Sequence, residues 1–340
     1  MLTRAKVITV VVLTLLAGCA LEGGRHRSTQ PGRSLELLYV DNTTLYSYRL
    51  SSGTRHKIAV LPSADLAVSP DRTHYVVVKE TAPAGPGPEG FRKPVLVEAR
   101  IAAGVGAHPV VLGPGRSPAW SPDGDRIAAV TSSRRRQNEV VVYTAGGAPH
   151  QGGTVTLPPD RWSILGWTQH RVVGLGAVSA RVWLGDPVSR SRERLSLTPS
   201  EAWGVSPTSP ELLRVAGGKT SLQRLRPGRP PIALHLGRAL VGDGAWSPDG
   251  RWIAAVLLKR GSGLSLRSTL VVMDASSGRV RRVPESEGAQ GNVVWSSAAT
   301  SFAYVRSGRP RGTLEAIVCT TQLTCNPTFR WRRGISLLAL

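Results

Sequence analysis

The stretch Ala119–Val130, "AWSPDGDRIAAV", returns 126 positions later as Ala245–Val256, "AWSPDGRWIAAV". Each copy reads as a hairpin. Ala-Trp closes one strand, Ser-Pro-Asp-Gly turns the chain, and Ile-Ala-Ala-Val opens the next. Proline presets φ, aspartate bonds its own backbone and glycine supplies positive φ. This reading gives Asp71, Asp123, Gly124, Asp249 and Gly250 structural work as turn residues.

Weaker copies emerge when the chain is aligned on that phrase. They are "LAVSPDRTHYVVV" from Leu66, "ILGWTQHRVVGLG" from Ile164, "WGVSPTSPELLRVAG" from Trp203 and "VVWSSAATSFAYV" from Val293. The anchors Val68, Trp120, Trp167, Val205, Trp246 and Trp295 are spaced by 52, 47, 38, 41 and 49 residues. A repeat of this length in units rich in strand formers predicts an all-β fold, a β-propeller. A second apolar pair follows each hairpin, as in "STLVVMDASSGRVRRV" from Ser268. Two hairpins make one four-stranded blade.

Blade number follows from closure. Six inner hairpins face seven outer segments, because "SLELLYVDNTTLYSYRLSSGTRHKIAV" from Ser34 has no inner strand before it. One more period past Trp295 reaches the apolar C-terminus, Ile335 to Leu340. If those residues supply the missing innermost strand, they close a ring of seven blades. Six blades, with the first segment joined to the last blade, is the alternative.

The N-terminus stands apart from the fold. Arg4 and Lys6 precede an apolar run from Val7 to Leu16, which has the pattern of a secretory signal and is short for a membrane span. Residues 1–18 are assigned to the signal, 19–34 to a flexible Gly/Arg/Ser/Pro tether and 35–340 to the propeller. Leu16-Ala17-Gly18-Cys19 resembles the lipobox of bacterial lipoproteins. That resemblance implies lipidation of Cys19 and anchoring on the extracytoplasmic face of the cell membrane. Acyl chains acting together hold a protein to a bilayer stably. Cys319 and Cys325 flank a short turn in "CTTQLTC", and an exported compartment favours a disulfide between them. Metal binding by this pair is the alternative, without a nearby His or second Cys pair to complete it.

The "WSPDG" and "IAAV" elements, followed by "LVVMDASSGRVRRV", resemble PD40-type repeats of TolB-like propellers and the propeller of actinobacterial LpqB lipoproteins. The resemblance runs from about Leu35 to the end. It implies a non-catalytic adaptor or sensor accessory of the cell envelope.

The residues themselves show no catalytic constellation. There is no G-x-S-x-G elbow, and none of the seven histidines sits at H-x-x-x-H spacing. No cofactor, metal or catalytic residue is assigned. Trp120, Trp167, Trp246 and Trp295 read as blade packing, whereas Trp162, Trp183, Trp203, Trp252 and Trp331 lie off the anchor and are candidates for a binding groove. Two long connections, Lys79–Pro94 and Ser132–Glu139, join the second and third strands of successive blades and should emerge on one face.

The net charge is +21, with six lysines against 37 arginines. This balance fits a high-GC coding bias, and an exported protein has little access to nucleic acid. The reading is therefore a monomeric, membrane-anchored propeller that binds an envelope protein. Capture of an anionic cell-wall polymer or lipid by the basic surface is one alternative. A lactonase- or lyase-like propeller enzyme with a channel metal is another.

Overall fold

A computed structural model describes residues 35–80, 94–101, 109–132, 138–146, 151–158, 160, 162–176, 181–195, 202–209, 211–215, 221–225, 232–235, 240–260, 266–308, 313–331 and 335–340. Every described element is a β-strand. The signal, the lipobox residues Leu16, Ala17 and Gly18, and Cys19 all lie outside the described residues, as does most of the two long connections.

The strands form seven antiparallel sheets of four. Strands β1 (Glu36–Asp41), β2 (Thr44–Arg49) and β3 (Thr54–Val60) belong to the first. The second contains β4 (Leu66–Val68), β5 (His74–Glu80), β6 (Pro94–Arg100) and β7 (Val110–Pro114). The third contains β8 (Arg116–Trp120), β9 (Arg126–Ser132), β10 (Asn138–Thr144) and β11 (Gln151–Leu157). In the fourth are β12 (Trp162–Thr168), β13 (Arg171–Gly176), β14 (Arg181–Asp186) and β15 (Ser191–Leu195). In the fifth are β16 (Ala202–Val205), β17 (Leu212–Val215), β18 (Ser221–Leu225) and β19 (Ile232–His235). The sixth is β20 (Leu240–Trp246), β21 (Trp252–Arg260), β22 (Leu266–Asp274) and β23 (Val280–Arg282). The seventh is β24 (Ala289–Trp295), β25 (Ser301–Ser307), β26 (Leu314–Thr320) and β27 (Cys325–Trp331). The last strand, β28 (Ile335–Ala339), returns to pair with β1 and completes the first sheet.

The first strands of the sheets neighbour one another in a cycle. β4 lies by β8, β8 by β12, β12 by β16, β16 by β20, β20 by β24, β24 by β28, and β28 by β4. This is a propeller of four-stranded blades radiating from an axis. The core is accordingly divided into layers between successive sheets. Ile127 and Ala129 pack toward the second sheet, with Val76 and Leu96, while Ala128 and Val130 pack toward the fourth, with Trp167 and Val172. Successive strand side chains point to opposite faces. With both faces covered, the strand reads as an unbroken apolar run, which is why Ile-Ala-Ala-Val recurs. Each fully buried Ile or Val contributes about 1.5–3 kcal/mol.

The same alternation works at the ring closure. Leu38, Val40 and Leu338 face the second sheet. Leu37, Tyr39, Leu337 and Leu340 face the seventh. The apolar C-terminus is therefore buried on both sides.

Candidate interaction surface

The repeated turn builds a hydrogen-bonded staple. Ser69 Oγ donates to Asp71 Oδ1 at 2.6 Å and accepts the His74 N–H at 2.9 Å. Ser121 donates to Asp123 and accepts the Arg126 N–H at 3.0 Å. Ser247 Oγ donates to Asp249 Oδ1 at 2.5 Å and accepts the Trp252 N–H at 2.8 Å. Each carboxylate also accepts a backbone N–H two residues on, from Thr73, Asp125 or Arg251. Burial alone would raise Asp71 and Asp123, but the hydrogen bonds outweigh it and hold both below the usual carboxylate range.

Gly124 and Gly250 take φ of 79° and 70°, the left-handed region that the turn requires. Arg72 and Ala299 occupy the same region at 61° and 56° in the second and seventh sheets. These aspartates are thus turn residues. Among the described residues no group of three His, Cys, Asp or Glu is placed to hold a metal.

The buried partner in each of these turns is the serine, not the aspartate. Ser69, Ser121, Ser206, Ser247 and Ser296 are each at most 3 % exposed, and Thr168 stands at the equivalent position of the fourth sheet. The signal was present in the aligned copies, where a hydroxyl follows every anchor.

The anchor tryptophans cross from one sheet to the one before it. Trp120 Nε1 donates to Ala67 O at 3.2 Å, Trp167 Nε1 to Ala119 O at 2.9 Å, and Trp295 Nε1 to Ala245 O at 3.2 Å. Trp246 is as deeply buried, yet its Nε1 finds no acceptor among the described residues. At the opposite end of the inner strands, Asp65 accepts the Ser117 N–H at 2.8 Å and Ser117 Oγ accepts the Ile164 N–H at 3.1 Å. Burial raises the Asp65 carboxyl above its ordinary value.

The tryptophans off the anchor separate into two kinds. Trp162 is buried and donates to Pro158 O. Trp183, Trp252 and Trp331 are half-buried, and two of them carry arginines. Arg192 stacks on Trp183 at 5.4 Å, while Arg251 and Arg281 stack on Trp252 at 5.2 and 5.1 Å. The side chain of Trp203 lies outside the described residues.

Trp331 belongs to an aromatic seam between the seventh and first sheets. Phe329 lies 4.9 Å from Trp331, 4.6 Å from Tyr48 and 5.0 Å from Tyr39, and Tyr46 stacks on Tyr39. Tyr48 donates to Thr328 O across the seam. The Arg55 guanidinium sits 3.6 Å from the centre of the Tyr46 ring and pairs with Asp41 at 3.1 Å. Burial pushes the Tyr39 phenol up to about 12 despite this neighbouring cation. Tyr46, Tyr48, Phe329 and Trp331 all remain partly accessible.

Two features hold β27 in place behind the seam. Cys319 and Cys325, cross-strand partners, form a disulfide with 4.1 Å between Cα atoms. On the same face as the disulfide, turned away from the seam, buried Glu315 binds Arg306 and Arg330, each at 2.9 Å. Burial opposes the charge on Glu315, and the two guanidiniums more than offset it, so its carboxyl lies below the usual range.

No protein-family model matches the chain, and no curated protein matches it in sequence. Solved structures do resemble it. TolB from Acinetobacter baumannii matches over 90 % of this chain and 67 % of its own, at 14 % identity and a TM-score of 0.50. The β-propeller domain of the Trilobed protease from Pyrococcus furiosus matches over 84 % and 86 %, at 14 % identity and a TM-score of 0.59. The fold is that of a TolB-like β-propeller. Pyrococcus horikoshii acylaminoacyl peptidase matches over 86 % of this chain, at 14 % identity and a TM-score of 0.58, and the chain spans about half of that enzyme's length (48 %). Propellers that resemble this chain therefore occur in a TolB and in a peptidase, and the shared fold does not carry an activity across.

Proposed function

We propose that this protein is a lipid-anchored, extracytoplasmic lipoprotein whose seven sheets act as one closed seven-bladed ring, a non-catalytic scaffold that docks another envelope protein. The observation that carries the reading is the seam of Tyr46, Tyr48, Phe329, Trp331 and Arg55. Aromatic residues and arginine dominate the energetic centres of protein interfaces, and here they share one partly accessible patch. Their backbones are held by β28, by the disulfide and by Glu315, so a partner would meet a preorganised surface. Anchoring rests on the lipobox resemblance at Cys19, and the adaptor role on the aromatic seam together with the resemblance of the repeats to those of TolB-like propellers.

The test is mild cross-linking and affinity capture from detergent-solubilised membranes, using the full chain as bait. Arg55→Glu and Cys19→Ser are run beside it, with a high-salt wash. One envelope protein should be recovered in a salt-resistant complex and lost with Arg55→Glu. Cys19→Ser should move the protein from the membrane fraction to the soluble one. Recovery of no protein partner, with only salt-sensitive lipid or polymer retained, would overturn the adaptor reading.

A further inference from the structure

The Trp252 cluster on the sixth sheet differs from the other charged groups of the molecule. Several other guanidiniums meet carboxylates: Arg55 with Asp41, Arg126 with Asp123, Arg171 with Glu193, Arg282 with Glu287, and Arg306 and Arg330 with Glu315, while Arg192 alone stacks on Trp183 and donates to Thr156 O. Arg251 and Arg281 instead share a single indole, and with neighbouring Arg279 they have no carboxylate at ion-pair distance among the described residues. Arg281 Nη2 donates to Thr321 O at 2.9 Å, which fixes one guanidinium against the seventh sheet. Arg251 and Arg279 are exposed. Two acids lie nearby in sequence, but both are engaged in their own turns. Asp249 accepts from Ser247 and the Arg251 N–H, and Asp274 from Ser276 and the Ser277 N–H.

Stacking on an aromatic face sets the plane of a guanidinium and leaves its N–H edge accessible; on Arg281 one Nη2 N–H is given to Thr321 O and the rest of the edge remains. Such a fork matches paired oxygens of a phosphate. We propose that Arg251 and Arg281, organised by Trp252, form with neighbouring Arg279 a binding site for phosphodiester anions, supplied by lipid headgroups or by a polyol-phosphate polymer.

The position of the cluster supports this ligand, in part through the lipid-anchor reading above. Trp252 is the first residue of β21, the second strand of its sheet, and Glu36 is the first residue of β1, the second strand of the first sheet. Both therefore lie at the same end of the ring, so the chain enters the propeller on the face that carries the cluster. Under the lipid-anchor reading, only sixteen positions of sequence separate the lipidated Cys19 from Leu35. Anchored there, this face lies close to the phosphate-bearing membrane surface.

The experiment uses the full chain with Cys19→Ser, which removes the lipid so that only the protein surface binds. One arm measures sedimentation with vesicles of phosphatidylglycerol in phosphatidylcholine, and the other titrates soluble poly(glycerol phosphate). Arg251→Gln/Arg281→Gln is compared with Arg190→Gln/Arg194→Gln, an equal charge loss at exposed positions of the fourth sheet. The site pair should weaken binding at least about tenfold, and the control pair by no more than about twofold. Arg251→Lys/Arg281→Lys should restore little, because lysine keeps the charge and loses the fork. Loss confined to one arm names the source of the phosphodiester, and loss in both shows recognition of the group itself. Equal losses from the two pairs, or native binding by the lysine variant, would refute the site. Circular dichroism and urea midpoints verify that each variant is folded. Failure of the lipid-anchor reading appears separately, in the membrane fractionation of the Cys19→Ser form.

Discussion

The duplicated phrase supplies its own control for the inter-sheet tryptophan bond. Trp120 and Trp246 both sit in Ala-Trp-Ser-Pro-Asp-Gly, at the end of an innermost strand, and are 6 % and 1 % exposed. Only Trp120 has an acceptor, Ala67 O at 3.2 Å. Trp246 packs on the fifth sheet, where a Cβ on Gly204 would lie 3.4 Å from the indole, and its Nε1 is left without one. Replacing either by phenylalanine removes about 40 Å³ of ring, which at ~24 cal/mol per Å³ costs about 1 kcal/mol.

For Trp120→Phe, losing the hydrogen bond and stranding a buried carbonyl adds about 1–2 kcal/mol. For Trp246→Phe, removing a buried N–H that bonds to nothing returns about 1 kcal/mol. Trp120→Phe should therefore destabilise by about 2–3 kcal/mol and Trp246→Phe by no more than about 1 kcal/mol. Urea unfolding followed by far-ultraviolet circular dichroism measures both, with unchanged m-values showing that the same surface unfolds. Equal midpoints for the two variants, or a larger loss at Trp246, would refute the assignment of inter-sheet strength to this bond.

Three further outcomes are expected. Gly124→Ala should cost about 1 kcal/mol from its positive φ alone, because an added Cβ meets only Pro70 Cδ at 3.7 Å. Gly250→Ala should cost more, since its Cβ would collide with Thr208 Oγ1 and lie 3.3 Å from Thr208 Cβ; thermal unfolding of the pair reads the difference. Glu315 has a depressed carboxyl in the folded state, so its contribution is present above the unfolded value near 4.5 and is lost as pH falls through the folded value. Glu315→Gln should accordingly flatten the decline of stability below about pH 4.5 in denaturant titrations, and an unaltered slope would show that the two arginines do not hold the charge. Reducing the Cys319–Cys325 bond, which closes a separation of six residues, should lower stability by about 2 kcal/mol, read as a shifted urea midpoint with and without dithiothreitol.

How much of this was legible beforehand depends on the range of the interaction. The hairpin at Asp123 is written within a few residues: proline, aspartate and glycine have local conformational preferences, and their spacing recurs. The run Ile127–Val130 likewise declares a strand covered on both faces. The apolar run Ile335–Leu340 pointed to a partner strand because apolar side chains gain little by lying open to water. Those features determined an all-β repeat architecture from the sequence alone.

Other features join residues that are far apart in the chain. The Trp120 bond spans 53 positions and the Tyr48 bond to Thr328 spans 280. Nothing local to Trp246 distinguishes it from Trp120, because the difference lies in the neighbouring sheet. The same holds for Arg251 and Arg281: thirty positions separate them, and only the pairing of β21 with β22 and of β22 with β23 lays both on one indole. The covalent sequence dictates local turns and side-chain alternation through sterics and hydrogen bonding within a few residues. Which surfaces meet, and which polar groups are left free to bind a partner, depends on sheet packing around the axis, and only the tertiary structure decides it.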